Sequence, residues 1–250
     1  MNLLTYLSCK TKVKIIIFLP IVALLLFFSG NADSHNLWIV GDANNKGDGA
    51  IHLYFEHHVG PGDGAYLGPI EERGKTWLTT PEKKIVPVDL KAVHVKETKY
   101  LAGKSGNISG SYAIDHTSLY GIYHGRLDFF HGRYIDAMNS ESLAALAESP
   151  KLPVQIVPIW TDEGLSLRVM YFSTPRPKAD LFVLKKDGTE ESLKADKKGE
   201  LLLGKVKPGT YYISTRIIES EPAGAFEYEA YKGIMHVSTL TLKISERFKE

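Results

Sequence analysis

Val154-Gln-Ile-Val-Pro-Ile-Trp160 and Leu165-Ser-Leu-Arg-Val-Met-Tyr-Phe172 are two short apolar runs separated by Thr161-Asp-Glu-Gly164. They are too short for core helices and rich in Val, Ile and aromatic residues, so they read as neighbouring strands. Asp180–Lys185, Leu201–Val206, Thr210–Ile218 and His236–Ile244 repeat the texture. Lys186-Asp-Gly188, Asp196-Lys-Lys-Gly199 and Lys207-Pro-Gly209 punctuate them. Regular short strands with such turns predict a β-sandwich.

Working back toward the start, Ala50-Ile-His-Leu-Tyr-Phe-Glu-His-His-Val59 has a two-residue period. Ile51, Leu53, Phe55 and His57 fall on one face, and His52, Tyr54, Glu56 and His58 on the other. Gly60-Pro-Gly-Asp-Gly64 ends that strand. Asn36–Val40, Thr76–Thr79, Val86–Val95, Ser111–Ile114 and Gly121–Phe130 are further strand candidates. Ser140-Glu-Ser-Leu-Ala-Ala-Leu-Ala-Glu148 is the exception. Asn139 or Ser140 can cap it, and its Ala and Leu content favours a helix that Pro150 and Pro153 stop. The predicted fold is mainly β, with two sandwich-like halves of immunoglobulin or prealbumin type, residues 35–150 and 151–250, and one short helix near the boundary.

Residues 1–34 read as a signal peptide. Lys10, Lys12 and Lys14 precede an apolar run, Ile15–Phe28, and Ala32 and Ser34 are the small residues a signal peptidase reads. The run falls short of the roughly 20 residues a spanning helix needs, so the expectation is export to the periplasm or medium, with no stable membrane insertion after cleavage. The single cysteine, Cys9, lies inside this segment. The exported chain then has no disulfide, no thiolate ligand and no cysteine nucleophile. The whole chain has 30 Lys+Arg and 29 Asp+Glu, and cleavage leaves 27 and 28. That balance offers no footprint for nucleic acid. No phosphate-cradling loop, nucleophile elbow, HExxH or EF-hand loop appears, and the chain is expected not to be an enzyme.

Cleavage after Ser34 makes His35 the first residue, with an α-amino group and an imidazole that can chelate one ion. Such donors suit nickel, cobalt, copper or zinc rather than calcium or magnesium. All nine histidines follow residue 34. His57 and His58 point to opposite faces, so one at most serves a given site. His124 and His131 are an odd seven apart, so one continuous strand would separate them. His131, after an apolar strand in Asp128-Phe-Phe-His-Gly132, and His236, before Val237-Ser-Thr-Leu-Thr-Leu242, resemble in placement histidines of a periplasmic β-sandwich family. The expected metal site takes His35, His131 and His236, with Glu56 or Asp128 as a carboxylate ligand or imidazole partner. His52, His94 and His116 look incidental.

In order, Val154–Ile159, Leu165–Met170, Ala179–Val183, Lys194–Gly199, Pro208–Tyr212 and Ser238–Leu242 resemble the periplasmic NikM-like β-sandwich family, known as a nickel-uptake component and now largely a family of unknown function. His35-Asn-Leu-Trp38 resembles its mature start. Glu56–Trp77, with Gly64-Ala-Tyr-Leu-Gly68 and Arg73-Gly-Lys-Thr-Trp77, is similar to one of its branches. The resemblance spans 35–245 and implies export, a sandwich fold and binding of a transition-metal ion for uptake or delivery, with a membrane metal transporter as possible partner. The second half also resembles prealbumin-like modules of secreted proteins. The alternative is an envelope-interaction or carbohydrate-binding module without metal. An amino-terminal His paired with a second His is also the copper ligand set of lytic polysaccharide monooxygenases, whose remaining pattern this chain lacks.

Overall fold

Alternating burial sets the first layer. A computed structural model of the protein describes residues 35–249 apart from 43–48, 107, 109, 186 and 187. The expected signal peptide, residues 1–34, therefore lies outside the described residues. In β1 (Asn36–Asp42) and β2 (Ala50–Glu56), Leu37, Ile39, Ile51, Leu53 and Phe55 are buried, and His52, Tyr54 and Glu56 are half-buried. The strands pair antiparallel, Asn36 opposite Glu56 and Asp42 opposite Ala50. With β5 (Lys91–Val95) and β6 (Thr98–Lys104) they form a four-stranded sheet in the order β1-β2-β6-β5.

Between β2 and β5 lie helix α1 (Gly68–Arg73), β3 (Lys75–Thr79) and β4 (Ile85–Val88). Pro69 fits the first turn of α1, where its missing N–H costs nothing, and Ile70 is buried. The sequence reading missed this helix and read Val86–Val95 as one strand, which breaks at Asp89-Leu90 into β4 and β5.

β7 (Tyr112–Tyr123) and β8 (Arg126–Asn139) form a hairpin. This corrects the reading of Gly121–Phe130 as one strand. The chain reverses at His124 (φ 50°) and Gly125 (φ 75°), both left-handed, as a two-residue hairpin turn requires. Helix α2 (Ser140–Leu146) follows as predicted. The Asn139 side chain accepts from the Ser142 N–H at 2.8 Å, and Ser142 Oγ returns the bond to the Asn139 N–H at 3.2 Å. Leu143 and Leu146 are its buried face.

The remaining strands are β9 (Val154–Thr161), β10 (Gly164–Tyr171), β11 (Thr174–Pro175), β12 (Asp180–Leu184), β13 (Glu190–Lys194), β14 (Glu200–Gly204), β15 (Gly209–Phe226) and β16 (Glu229–Lys249). β9, β10, β11 and β14 make a second small sheet. The large sheet runs β13-β12-β15-β16-β8-β7-β3-β4. It joins strands from both sides of residue 150 through the parallel pairing of β16 with β8.

The two faces of the large sheet feed two cores. On one, Phe130, Tyr134, Met235 and Val237 pack with Leu37, Ile39, Ile51 and Leu53. On the other, Ile135, Ala137, Leu240 and Leu242 pack with Val154, Ile156, Leu165 and Leu167. Gly132 lets β1 lie close, since a Cβ there would fall 2.4 Å from Leu37 Cδ2. The protein is thus a mainly β, sandwich-like fold whose large sheet is covered on both faces.

Candidate functional site

The four expected ligands fall into two pairs, on opposite faces of the large sheet. His35 sits just before β1, diagonal to Glu56 and His57 at the end of β2. Its ring centroid is 5.2 Å from that of Phe55, 4.3 Å from that of His57 and 4.9 Å from that of Tyr66. Its Nε2 is 4.0 Å from Glu56 Oε2. The face shared by Phe55 and His57 in the two-residue period is the one His35 meets.

The Gly60–Gly64 turn wraps the Glu56 carboxylate. A Cβ at Gly62 would fall 1.8 Å from Glu56 Oε1, so only glycine leaves room for the carboxylate. The Lys99 N–H donates to the Gly62 carbonyl at 2.8 Å and ties this turn to β6. Burial, then the nearby Asp63, raise the Glu56 pKa, against the pull of His58, His57 and a backbone bond from Gly64. Burial, then the neighbouring His57, lower that of His35, while Asp63 raises it. His35 is therefore neutral at pH 7 with its lone pair free for a ligand.

His131 and His236 meet each other instead. His131 Nε2 is 3.0 Å from His236 Nδ1, and His131 Nδ1 is 2.8 Å from Thr117 Oγ1. The chain of bonds runs across β7, β8 and β16. His131 and His236 are 1% and 5% exposed. The His236 ring stacks on Phe129, 5.0 Å between centroids, and Tyr171 and Phe172 stand edge-on to it. Burial lowers both histidines, His236 to about 4 and His131 well below the usual imidazole value, with the charge of His236 adding to the effect at His131. Both are neutral, and both nitrogens of His131 are committed to hydrogen bonds.

Asp128, one residue before Phe129, alternates with it onto the opposite face from His131. It is buried, 3.8 Å from Arg126 Nε, and burial pushes its pKa up to about 7. It is placed as neither ligand nor partner for His131. Of the histidines that look incidental, His116 is 1% exposed and bonds Thr76.

Among the described residues, no group of three or more His, Cys, Asp or Glu side chains already stands in a metal-holding arrangement. No described helix is long and apolar enough to cross a membrane. His57 and Asp63 are the members of the His35 cluster that the sequence reading did not select. Their signal was adjacency to Glu56 and to a glycine-rich turn.

No protein-family model matches the chain, and no curated protein matches it. Among the solved structures the chain is similar to is a "Biofilm associated protein - BSP domain", at 9% identity and a TM-score of 0.19. The match covers 85% of this chain and 30% of that one.

Proposed function

We propose that the chain is exported and binds one transition-metal ion, nickel, cobalt, copper or zinc, at its His35 end, for uptake or delivery outside the cytoplasm. The observation that carries this reading is the convergence of His35, Glu56 and His57 at a partly exposed strand end. Imidazole and carboxylate donors without thiolate suit these ions. Cleavage after Ser34 adds the α-amino group, which closes a chelate ring with the His35 imidazole. Glu56 and His57 complete the set by side-chain rotation. His131 and His236 have no part in it, because they bond each other on the far face. A membrane transporter is the fitting recipient.

The test is intact mass of the exported protein, then thermal unfolding with each ion. A mass beginning at His35 is expected. An ion at about 100 times its Kd stabilises by roughly 2.7 kcal/mol. His35→Ala and Glu56→Gln should each weaken binding at least tenfold, while His236→Phe should not. A different amino terminus, no stabilising ion, or wild-type affinity in His35→Ala overturns the proposal.

A second reading rests on the exposed aromatics at the same end. Tyr66 and Tyr123 are 48% and 45% exposed, and Tyr120 lies 6.4 Å from Tyr123 by ring centroids. This suits a carbohydrate-binding module without metal. Glycan binding that survives chelator and fails in Tyr123→Ala would favour it.

A further inference from the structure

A cavity of about 320 Å³ opens between α1, the β3–β4 hairpin and β6, away from both histidine pairs. Its depth is apolar, with Ile70 and Leu101 fully buried and Val88 and Leu90 partly so. Its rim is polar, with exposed Lys75 and Asp89. That volume lies in the range of small-molecule pockets, and the lining mixes these apolar side chains with polar ones.

Two buried polar side chains line the cavity, Thr76 and His116. His116 is 1% exposed, and its Nδ1 is 2.8 Å from Thr76 Oγ1. Its Nε2 is buried and has no partner within the described chain. A buried nitrogen left unmatched is destabilising, so such an atom calls for an occupant. Gly74 lies against this ring, since a Cβ there would fall 2.4 Å from its Cε1 and 2.7 Å from its Nε2.

We propose that this cavity binds a small uncharged molecule with an apolar body and one hydroxyl at its buried end, as in a simple phenol, the hydroxyl bonding His116 Nε2. The chemistry follows from the lining. Burial drives the His116 pKa down to about 3, so the ring is neutral and offers no charge to an anion. Depending on tautomer, Nε2 either donates or accepts. A hydroxyl satisfies both cases, whereas an ether only accepts and an ammonium only donates.

The test is calorimetric titration of the exported protein with phenol and with toluene. An apolar void prefers toluene, the more hydrophobic of the two. The proposed site prefers phenol by at least tenfold, and His116→Phe should abolish that preference. Nitrogen-15 NMR of histidine-labelled wild type needs no variant. Phenol should shift the His116 imidazole signals and leave those of His131 and His236 in place. Equal or weaker affinity for phenol than for toluene, or unmoved His116 signals at saturating phenol, would mean that Nε2 is satisfied by water alone and would overturn the proposal.

Discussion

The pairs His35–His57 and His131–His236 are chemically identical and physically opposite. The first lies at a strand end, partly in water, against a carboxylate and a glycine turn. The second lies in the middle of a covered sheet, stacked on Phe129 and bonded in series to Thr117. In the second pair the facing nitrogens bond each other, and burial removes the charged form. In the first, burial is incomplete and the 4.0 Å gap between His35 and Glu56 leaves both free to turn onto a third party. A buried histidine network is a structural solution; a half-exposed one beside a carboxylate is available for chemistry.

The sharpest way to break this comparison is to disturb the buried face beside His131. Arg133 and Asp115 form a fully buried ion pair, 2.8 Å apart. Arg133 also donates to the Leu146 carbonyl at the end of α2, and Ser149 Oγ donates to Asp115 at 2.7 Å. Arg133→Met alone strands a buried carboxylate and should cost about 3–5 kcal/mol in chemical denaturation. The double change Arg133→Met with Asp115→Leu should recover much of that loss. A single-variant loss below about 1 kcal/mol would show that this face does not depend on satisfied polar groups.

Acid should distinguish buried rings from exposed ones next. A histidine whose folded pKa is depressed leaves stability intact above its unfolded pKa of 6.5. Stability is then lost as pH falls from 6.5 toward the folded value, because the unfolded chain binds the proton first. For His116, with a folded pKa of about 3, the loss at pH 4.5 is roughly 3 kcal/mol. His236, depressed to about 4, and His131 act in the same direction. Denaturant midpoints should fall steeply from pH 6.5 to 4.5, and His116→Phe should flatten that slope. A flat profile would contradict the burial of these rings.

Parts of this arrangement were legible in the sequence for a physical reason. The alternation through Ile51, Leu53, Phe55 and His57 is local, and it put His57 on the face that His35 meets. Asn139 and the Ala/Leu run of α2 were likewise local. The parallel pairing of β16 with β8 was not. It joins residues more than a hundred positions apart, and no periodicity within either strand specifies the neighbour. The bond between His131 and His236 depends on that pairing, so nothing local in either strand shows that they meet. The hairpin turn at His124-Gly125 hid because His-Gly is not among the Asn-Gly and Asp-Gly pairs that mark such turns. Helix α1 hid because six residues show less than two turns of pattern.

The pair itself offers a smaller effect. His236→Phe keeps the stack on Phe129 but leaves His131 Nε2 without its partner, which should cost about 1–3 kcal/mol. Metal affinity should not change. If affinity fell while His35→Ala bound normally, the roles of the two pairs would be reversed.

The smallest expected effect is the most informative about the His35 end. Glu56→Gln keeps the shape of the side chain in its glycine turn and removes only the charge. His57 is exposed, so His57→Ala empties no core. His57→Ala should move the stability of the metal-free protein by no more than about 0.5 kcal/mol, as for surface positions generally, and Glu56→Gln, which keeps an acceptor for the Gly64 N–H, by less than about 1 kcal/mol. A group held for structure resists replacement, and a group held for a ligand does not, because its partner is absent when folding is measured. The contrast between a near-zero change in the free protein and a tenfold loss of affinity would separate the two pairs by role as well as by place. A loss in Glu56→Gln as large as that in His236→Phe would mean that Glu56 serves to fasten the Gly60–Gly64 turn, and that the two pairs differ only in depth.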